Sequence, residues 1–154
     1  MKPLTKLAVY TTTPIFYVNA KPHLGHFYSM TLADVRNRWC KLNNRETFFT
    51  TGTDEHGLKV QNAAQAANTD PKCFCDDLAD KFKELAKLGQ IKFDRFIRTT
   101  DLDHYNAVNQ FWNTVNANGY IYKGIHSGWY CVSDETFYPE NDIMESVDPK
   151  TGMK

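Results

Sequence analysis

A chain of 154 residues is long enough for one domain with a packed interior. Hydrophobic residues make up 42%, charged residues 23%, and the formal net charge is +0, which argues against a dedicated basic platform for nucleic acid. No apolar run approaches the ~20 residues of a membrane span, and four cysteines are too few for a disulfide scaffold, so they read as reduced intracellular thiols.

Residues 1–13 show neither a signal-peptide core nor an Arg- and Ser-rich leader helix. Residues 7–12 read as a short buried strand ended by Pro14. A polar loop with Asn19 and Pro22 follows, then a strong helix. Its apolar positions Leu24, Tyr28, Leu32, Val35, Trp39 and Leu42 share one face and predict the buried side. Asn43 and Asn44 end it. Residues 46–51, rich in aromatic and β-branched types, predict a second strand closed by Gly52. A strand–helix–strand unit of this kind is expected to be parallel, with a right-handed crossover.

The next helix starts with Asp70 as cap and Pro71 at its first position, carries Phe74, Leu78, Phe82, Leu85 and Leu88, and stops at Gly89. Another runs from about Asp101 to Asn118, with Tyr105, Val108, Phe111, Trp112 and Val115 expected inward and Gly119 after it. Beyond it come short β-like runs at 120–122, 128–132 and 136–138, which predict a small antiparallel element. Residues 148–154 are polar and turn-forming.

In an open parallel sheet, ligands bind beyond the carboxyl ends of the strands. Both predicted strands end in chemistry-bearing residues, at 14–26 and 51–57, and the two segments are expected to line one crevice. His23, Leu24, Gly25 and His26 open the long helix, where free N–H groups and the positive dipole end attract phosphate. Gly25 would let a nucleotide approach. His23 and His26 could hydrogen-bond phosphate oxygens and, if protonated, stabilise a crowded phosphoryl centre. The pair could equally be two surface histidines without a role. No second pair at matching spacing exists, so zinc is not expected there.

Asp54, Glu55 and His56 permit three readings: an acid–base cluster, an ammonium anchor with Asp54 as the anion, or a carboxylate capping a helix that starts near Gly57. Ile15 and Tyr17 could line an apolar pocket or simply pack in the core. Cys131 lacks the partner a zinc knuckle needs, and Cys73 and Cys75 diverge on a helix start.

Taken together, Thr13 to His26 resembles the HIGH-motif region of class I methionyl-tRNA synthetases, and Thr51 to Gly57 resembles their second active-site segment. Phe96–Asp101, Asn118–Gly124 and Trp129–Tyr138 resemble the stretch leading into the family's connective insertion. Five segments in order make the likeness specific, and it leans toward the fungal mitochondrial form.

The resemblance implies an α/β fold: residues 5–118 as the amino-terminal half of a Rossmann-like parallel-sheet catalytic domain, and 119–154 as the start of a small β-rich insertion. It implies that His23, Gly25 and His26 bind ATP, with the two histidines catalytic at the α-phosphate. It implies that Asp54 pairs with the methionine amino group while Ile15 and Tyr17 line the thioether pocket. The implied substrates are L-methionine, ATP with Mg²⁺, and tRNA(Met). No zinc and no membrane are implied. The implied compartment is the mitochondrial matrix, with the cytoplasm as alternative. The family's KMSKS signature is absent from these residues. The chain is therefore expected to be an amino-terminal fragment, inactive alone and poorly soluble. Two rivals are a sibling class I synthetase and a non-catalytic truncated paralogue that binds nucleotide or a partner.

Overall fold

The computed structural model describes residues 8–143. In chain order these form β1 (Val9–Thr12), β2 (Phe16–Tyr17), α1 (Leu24–Leu42), β3 (Thr47–Asp54), α2 (Leu58–Ala66), α3 (Pro71–Leu88), β4 (Arg95–Arg98), α4 (Leu102–Ala117), β5 (Trp129–Cys131) and β6 (Thr136–Tyr138), then a 3₁₀ turn at Glu140–Asp142. The chain divides into two compact units, Met1–Asn113 and Thr114–Lys154.

In the first unit β3 is the central strand. Thr50 pairs with Thr12 and with Arg95, and Thr53 with Phe16 and with Arg98, so β1 and β2 share one edge and β4 takes the other. All these pairings are parallel, as the strand–helix–strand reading requires. Two features differ from the sequence reading. Gly52 does not close β3, which runs on to Asp54. β2 and β4 are strands that the sequence did not announce.

Gly52 has a different task. A Cβ there would lie 1.9 Å from the Ile97 carbonyl oxygen, so glycine lets β3 and β4 approach. At the other edge the register slips. Thr12 faces Thr50 and Phe16 faces Thr53, so residues 13, 14 and 15 lie opposite 51 and 52. Pro14 has no N–H to give the ladder, and the extra residue forms a bulge. The bulge changes which side chains point inward: Thr11 and Thr13 are buried before it, Phe16 and Val18 after it.

Helices α1, α2 and α3 cover one side of this sheet. The core there joins Phe16, Met30, Phe49, Val60, Leu78, Ala79, Phe82 and Phe96. α3 is built as its sequence signals. Asp70 Oδ1 accepts the N–H groups of Lys72 and Cys73 at 2.9 and 3.2 Å, Pro71 fills the first turn, and Gly89 caps the end. Leu78 and Phe82 are buried and Phe74 and Leu85 half-buried, whereas Leu88 is exposed.

α1 corrects the sequence reading. Its predicted inner stripe, Leu24, Tyr28, Leu32, Val35, Trp39 and Leu42, is exposed throughout. The buried side carries Met30, Ala33, Asp34, Asn37 and Cys40. Asp34 tolerates this because its carboxylate accepts Arg38 Nε at 2.6 Å and the Lys92 N–H at 3.0 Å. α4 differs in the same way, with Tyr105, Val108, Phe111 and Trp112 exposed and Val115 only half-buried.

In the second unit β5 and β6 form an antiparallel hairpin with Trp129 opposite Tyr138, matching the expected small element. Residues 120–122 form no strand. The polar run 148–154 lies outside the described residues.

Candidate active site at the strand ends

The bulge at Pro14 sets the orientation of the pocket candidates. After it, Phe16 turns inward beside Thr53, and Tyr17 falls opposite Asp54. Paired residues on adjacent strands project from the same side of a sheet. Tyr17 and Asp54 therefore share the side opposite the helices. Tyr17 is 46% exposed and Ile15, two residues earlier, 43%, so neither is core packing. Asp54 does not cap α2, whose N-cap is Gly57 with no side-chain bond. Among the described residues the Asp54 carboxylate accepts no hydrogen bond and joins no ion pair, which leaves its anionic oxygens available to a ligand.

The two histidines form the first turn of α1. His23 is the N-cap, and its Nδ1 accepts the Gly25 N–H at 3.1 Å. His26 Nδ1 accepts the His23 N–H at 3.1 Å, closing a reciprocal capping box. The rings stack with centroids 3.8 Å apart. A Cβ at position 25 would come within 2.9 Å of the His23 ring and would push that exposed ring aside. Because both Nδ1 atoms accept, the proton on each neutral ring sits on Nε2. His26 also rests edge-on against Phe16 and Phe82, at 4.9 and 5.0 Å. Burial, and next the adjacent His23, push the His26 imidazole below its ordinary pKa, which favours the neutral ring.

The histidine pair reaches the strand ends through Phe16, the residue before Tyr17. Phe16 thus links the helix start to the strand ends, with His26 against it on the covered side and Tyr17 and Asp54 on the other. His56 hydrogen-bonds through Nε2 to the Thr99 carbonyl at 3.4 Å and lies edge-on to Tyr105. With Thr99, His104 and Val108 these residues line a cavity of about 220 Å³. A larger hollow of about 510 Å³ sits within the hairpin unit, and none of the predicted site residues lines it.

The role of Glu55 is the main feature the sequence reading missed. Its side chain is fully buried, and its carboxylate accepts Arg98 Nε and Nη2 at 2.6 and 2.9 Å. It also accepts the hydroxyls of Thr53 and Thr100 at 2.7 and 2.5 Å. Burial alone would raise its pKa. The hydrogen bonds from Arg98, Thr100 and Thr53, with the Arg98 charge, outweigh that and hold it below the usual carboxylate range. The only sequence cue was the acidic pair at 54–55, since Arg98 lies 43 positions away.

A parallel sheet with a helix starting beyond its strand ends has an open-sheet α/β architecture, in which ligands bind at the carboxyl ends of the strands. The chain belongs to the class I tRNA synthetase family: the family model "tRNA synthetases class I (M)" matches residues 9–153. It is 57% identical over 143 residues to the probable mitochondrial methionine–tRNA ligase of Neurospora crassa, covering 93% of this chain and 23% of that protein. To the mitochondrial methionine–tRNA ligase of Candida albicans it is 55% identical over 141 residues, covering 91% and 24%. It superposes on Mycobacterium tuberculosis methionyl-tRNA synthetase in complex with methionyl-adenylate with a TM-score of 0.83 and 40% identity, covering 95% of this chain and 30% of that one. The chain spans about a quarter of the length of these curated relatives.

Proposed function

We propose that this chain carries the amino-acid and nucleotide site of a methionine–tRNA ligase, residues 5–118 forming the first half of the catalytic domain and 119–154 the start of the connective insertion. The observation that carries the reading is the placement of Tyr17 opposite Asp54, which has no side-chain partner among the described residues, one position after Phe16, on which His26 of the α1 start rests. The kinship supports it, since the relatives are methionine–tRNA ligases and a solved relative holds methionyl-adenylate.

In this reading Asp54 takes the methionine ammonium, and Ile15 and Tyr17 flank the thioether chain. ATP enters as its Mg²⁺ complex, a substrate. The methionine carboxylate attacks the α-phosphorus and pyrophosphate leaves. His23 and His26 donate Nε2–H to phosphate oxygens as charge builds. They act as neutral donors, because protonating either Nδ1 would break the capping box, so the protonated form weighed from sequence is not used. Gly25 keeps the His23 ring seated. The terminal ribose hydroxyl of tRNA(Met) then takes the methionyl group and AMP leaves. Positioning and electrostatics suffice, without a covalent enzyme intermediate. The mitochondrial names of the relatives support the matrix as its location. Among the described residues no helix is long and apolar enough to cross a membrane.

The test is amino-acid-dependent ATP–pyrophosphate exchange by the protein at its full natural length, against a panel of amino acids. Methionine alone should drive exchange. Exchange with another amino acid overturns the reading in favour of a sibling synthetase. ATP binding with no exchange for any amino acid overturns it in favour of a non-catalytic module.

A further inference from the structure

Asp54 lies beside the most heavily tied carboxylate of the described residues. Glu55 belongs to the helix-covered side of the sheet, as do Thr53 and Arg98, which are register partners. Asp54 lies on the opposite side with Tyr17. Every polar group of Glu55 has a contact: its N–H donates to Thr99 Oγ1 at 2.9 Å, its carbonyl lies 3.9 Å from Cys75 Sγ, and both carboxylate oxygens are bonded twice. Arg98 in turn reaches Asp76 on α3 through Nη2 at 2.6 Å. Central strand, edge strand and covering helix therefore meet at one residue.

Burying a charge pair is an expensive way to fill space, and an apolar pair of similar volume would often be no less stable. What the pair supplies is direction. Side chains alternate along extended backbone, so fixing Glu55 inward fixes Asp54 outward. The charges also balance locally. Arg98 lies between Glu55 and Asp76, so it is committed to them, and among the described residues Asp54 has no cation of its own.

We infer that the Glu55–Arg98 pair, anchored by Asp76, is the positioning element that aims Asp54 at the amino group of the substrate. The inference rests on the proposed role of Asp54 as ammonium partner. Neither Glu55 nor Arg98 touches substrate, and both act through the backbone at 54–56.

The test compares affinities for methionine and for its des-amino analogue, 4-methylthiobutanoate, by calorimetric titration of the protein at its full natural length. The ratio of the two does not depend on the fraction of protein folded, so loss of stability alone leaves it unmoved. The unsubstituted protein should prefer methionine by at least tenfold, and Asp54→Asn should abolish that preference. Glu55→Gln and Arg98→Lys should each reduce it at least threefold. The double variant should do no more than the worse single one, as expected for one coupled unit. If Asp54→Asn abolishes the preference while Glu55→Gln and Arg98→Lys retain it, the positioning role is overturned and Asp54 stands. If Asp54→Asn retains the preference, the ammonium role of Asp54 falls, and the positioning role with it. Should Glu55→Gln not fold, Arg98→Lys alone decides the matter by the same ratio.

Discussion

The two sides of strand β3 have opposite characters. On the covered side Phe49, Thr51 and Thr53 are at most 2% exposed, packed beneath α1, α2 and α3. On the other side Phe48 is 50% exposed, Tyr10 beside it 60%, and the Asp54 carboxylate has no partner among the described residues. One strand thus carries both the centre of the core and a proposed binding face, separated only by the alternation of its side chains. Among the described residues the covered side pairs Glu55 with Arg98, whereas Asp54 on the open side has no side-chain partner. Stability and function should therefore respond to different substitutions made one residue apart.

The largest effect should come from the covered side. Phe82 is fully buried and stacks on Phe16 at 5.4 Å while supporting His26. Phe82→Ala should cost ~3–5 kcal/mol by cavity formation, read from the denaturant midpoint. A loss below ~1 kcal/mol would show that this side is loosely packed.

Asp54→Ala should reverse the balance. It leaves stability within about 0.5 kcal/mol, as for other surface changes. If Asp54 has the proposed ammonium role, the methionine activation proposed above should fall on the order of 10- to 100-fold in kcat/KM at full natural length, as expected for a lost hydrogen bond to a charged group. If Asp54→Ala instead unfolds the protein, the two sides are not separable.

A third effect depends on pH. Glu55 is held below the usual carboxylate range in the folded protein. Its contribution is fully present above the unfolded carboxylate pKa and is lost as pH falls through the lower folded one. Glu55→Gln should flatten the stability profile on that acid limb and leave its shape near neutrality unchanged. His26 has the same sign, since its imidazole is also pushed down. Stability should thus decline from about pH 6.5 downward, a decline that His26→Gln removes.

Much of the covered side was legible in sequence. Asp70, Pro71 and Gly89 bracket α3 because caps obey local backbone chemistry, and the strand–helix–strand order dictates parallel pairing. α1 was misread because its apolar stripe is real but lies outward, while Asp34 and Asn37 go inward. Counting apolar positions cannot foresee that Asp34 will find a backbone N–H at Lys92, 58 positions away. β2 was missed because Pro14 hides the resumption of pairing behind a bulge. β4 was missed because four residues with arginine at both ends read as surface. At the site, the residue types at 15, 17, 23, 26 and 54 were visible, but the tautomers and the Glu55–Arg98 pairing are products of the fold.

The smallest effect should fall on the open side away from Asp54. Phe48 touches Tyr10 with ring centroids 6.0 Å apart, and half its surface already meets water. In the 154-residue chain, Phe48→Ser should change stability by no more than about 0.5 kcal/mol, against ~3–5 kcal/mol for Phe82→Ala. The same substitution at full natural length sharpens the contrast. A cost that stays small there means the face is open to water in the working enzyme. A cost that rises toward the Phe82 value means further chain covers Tyr10 and Phe48, so β3 would be sandwiched except at its carboxyl end. Asp54 would then stand at the mouth of a closed layer, where an unpaired carboxylate binds a cation more strongly because less water competes for it.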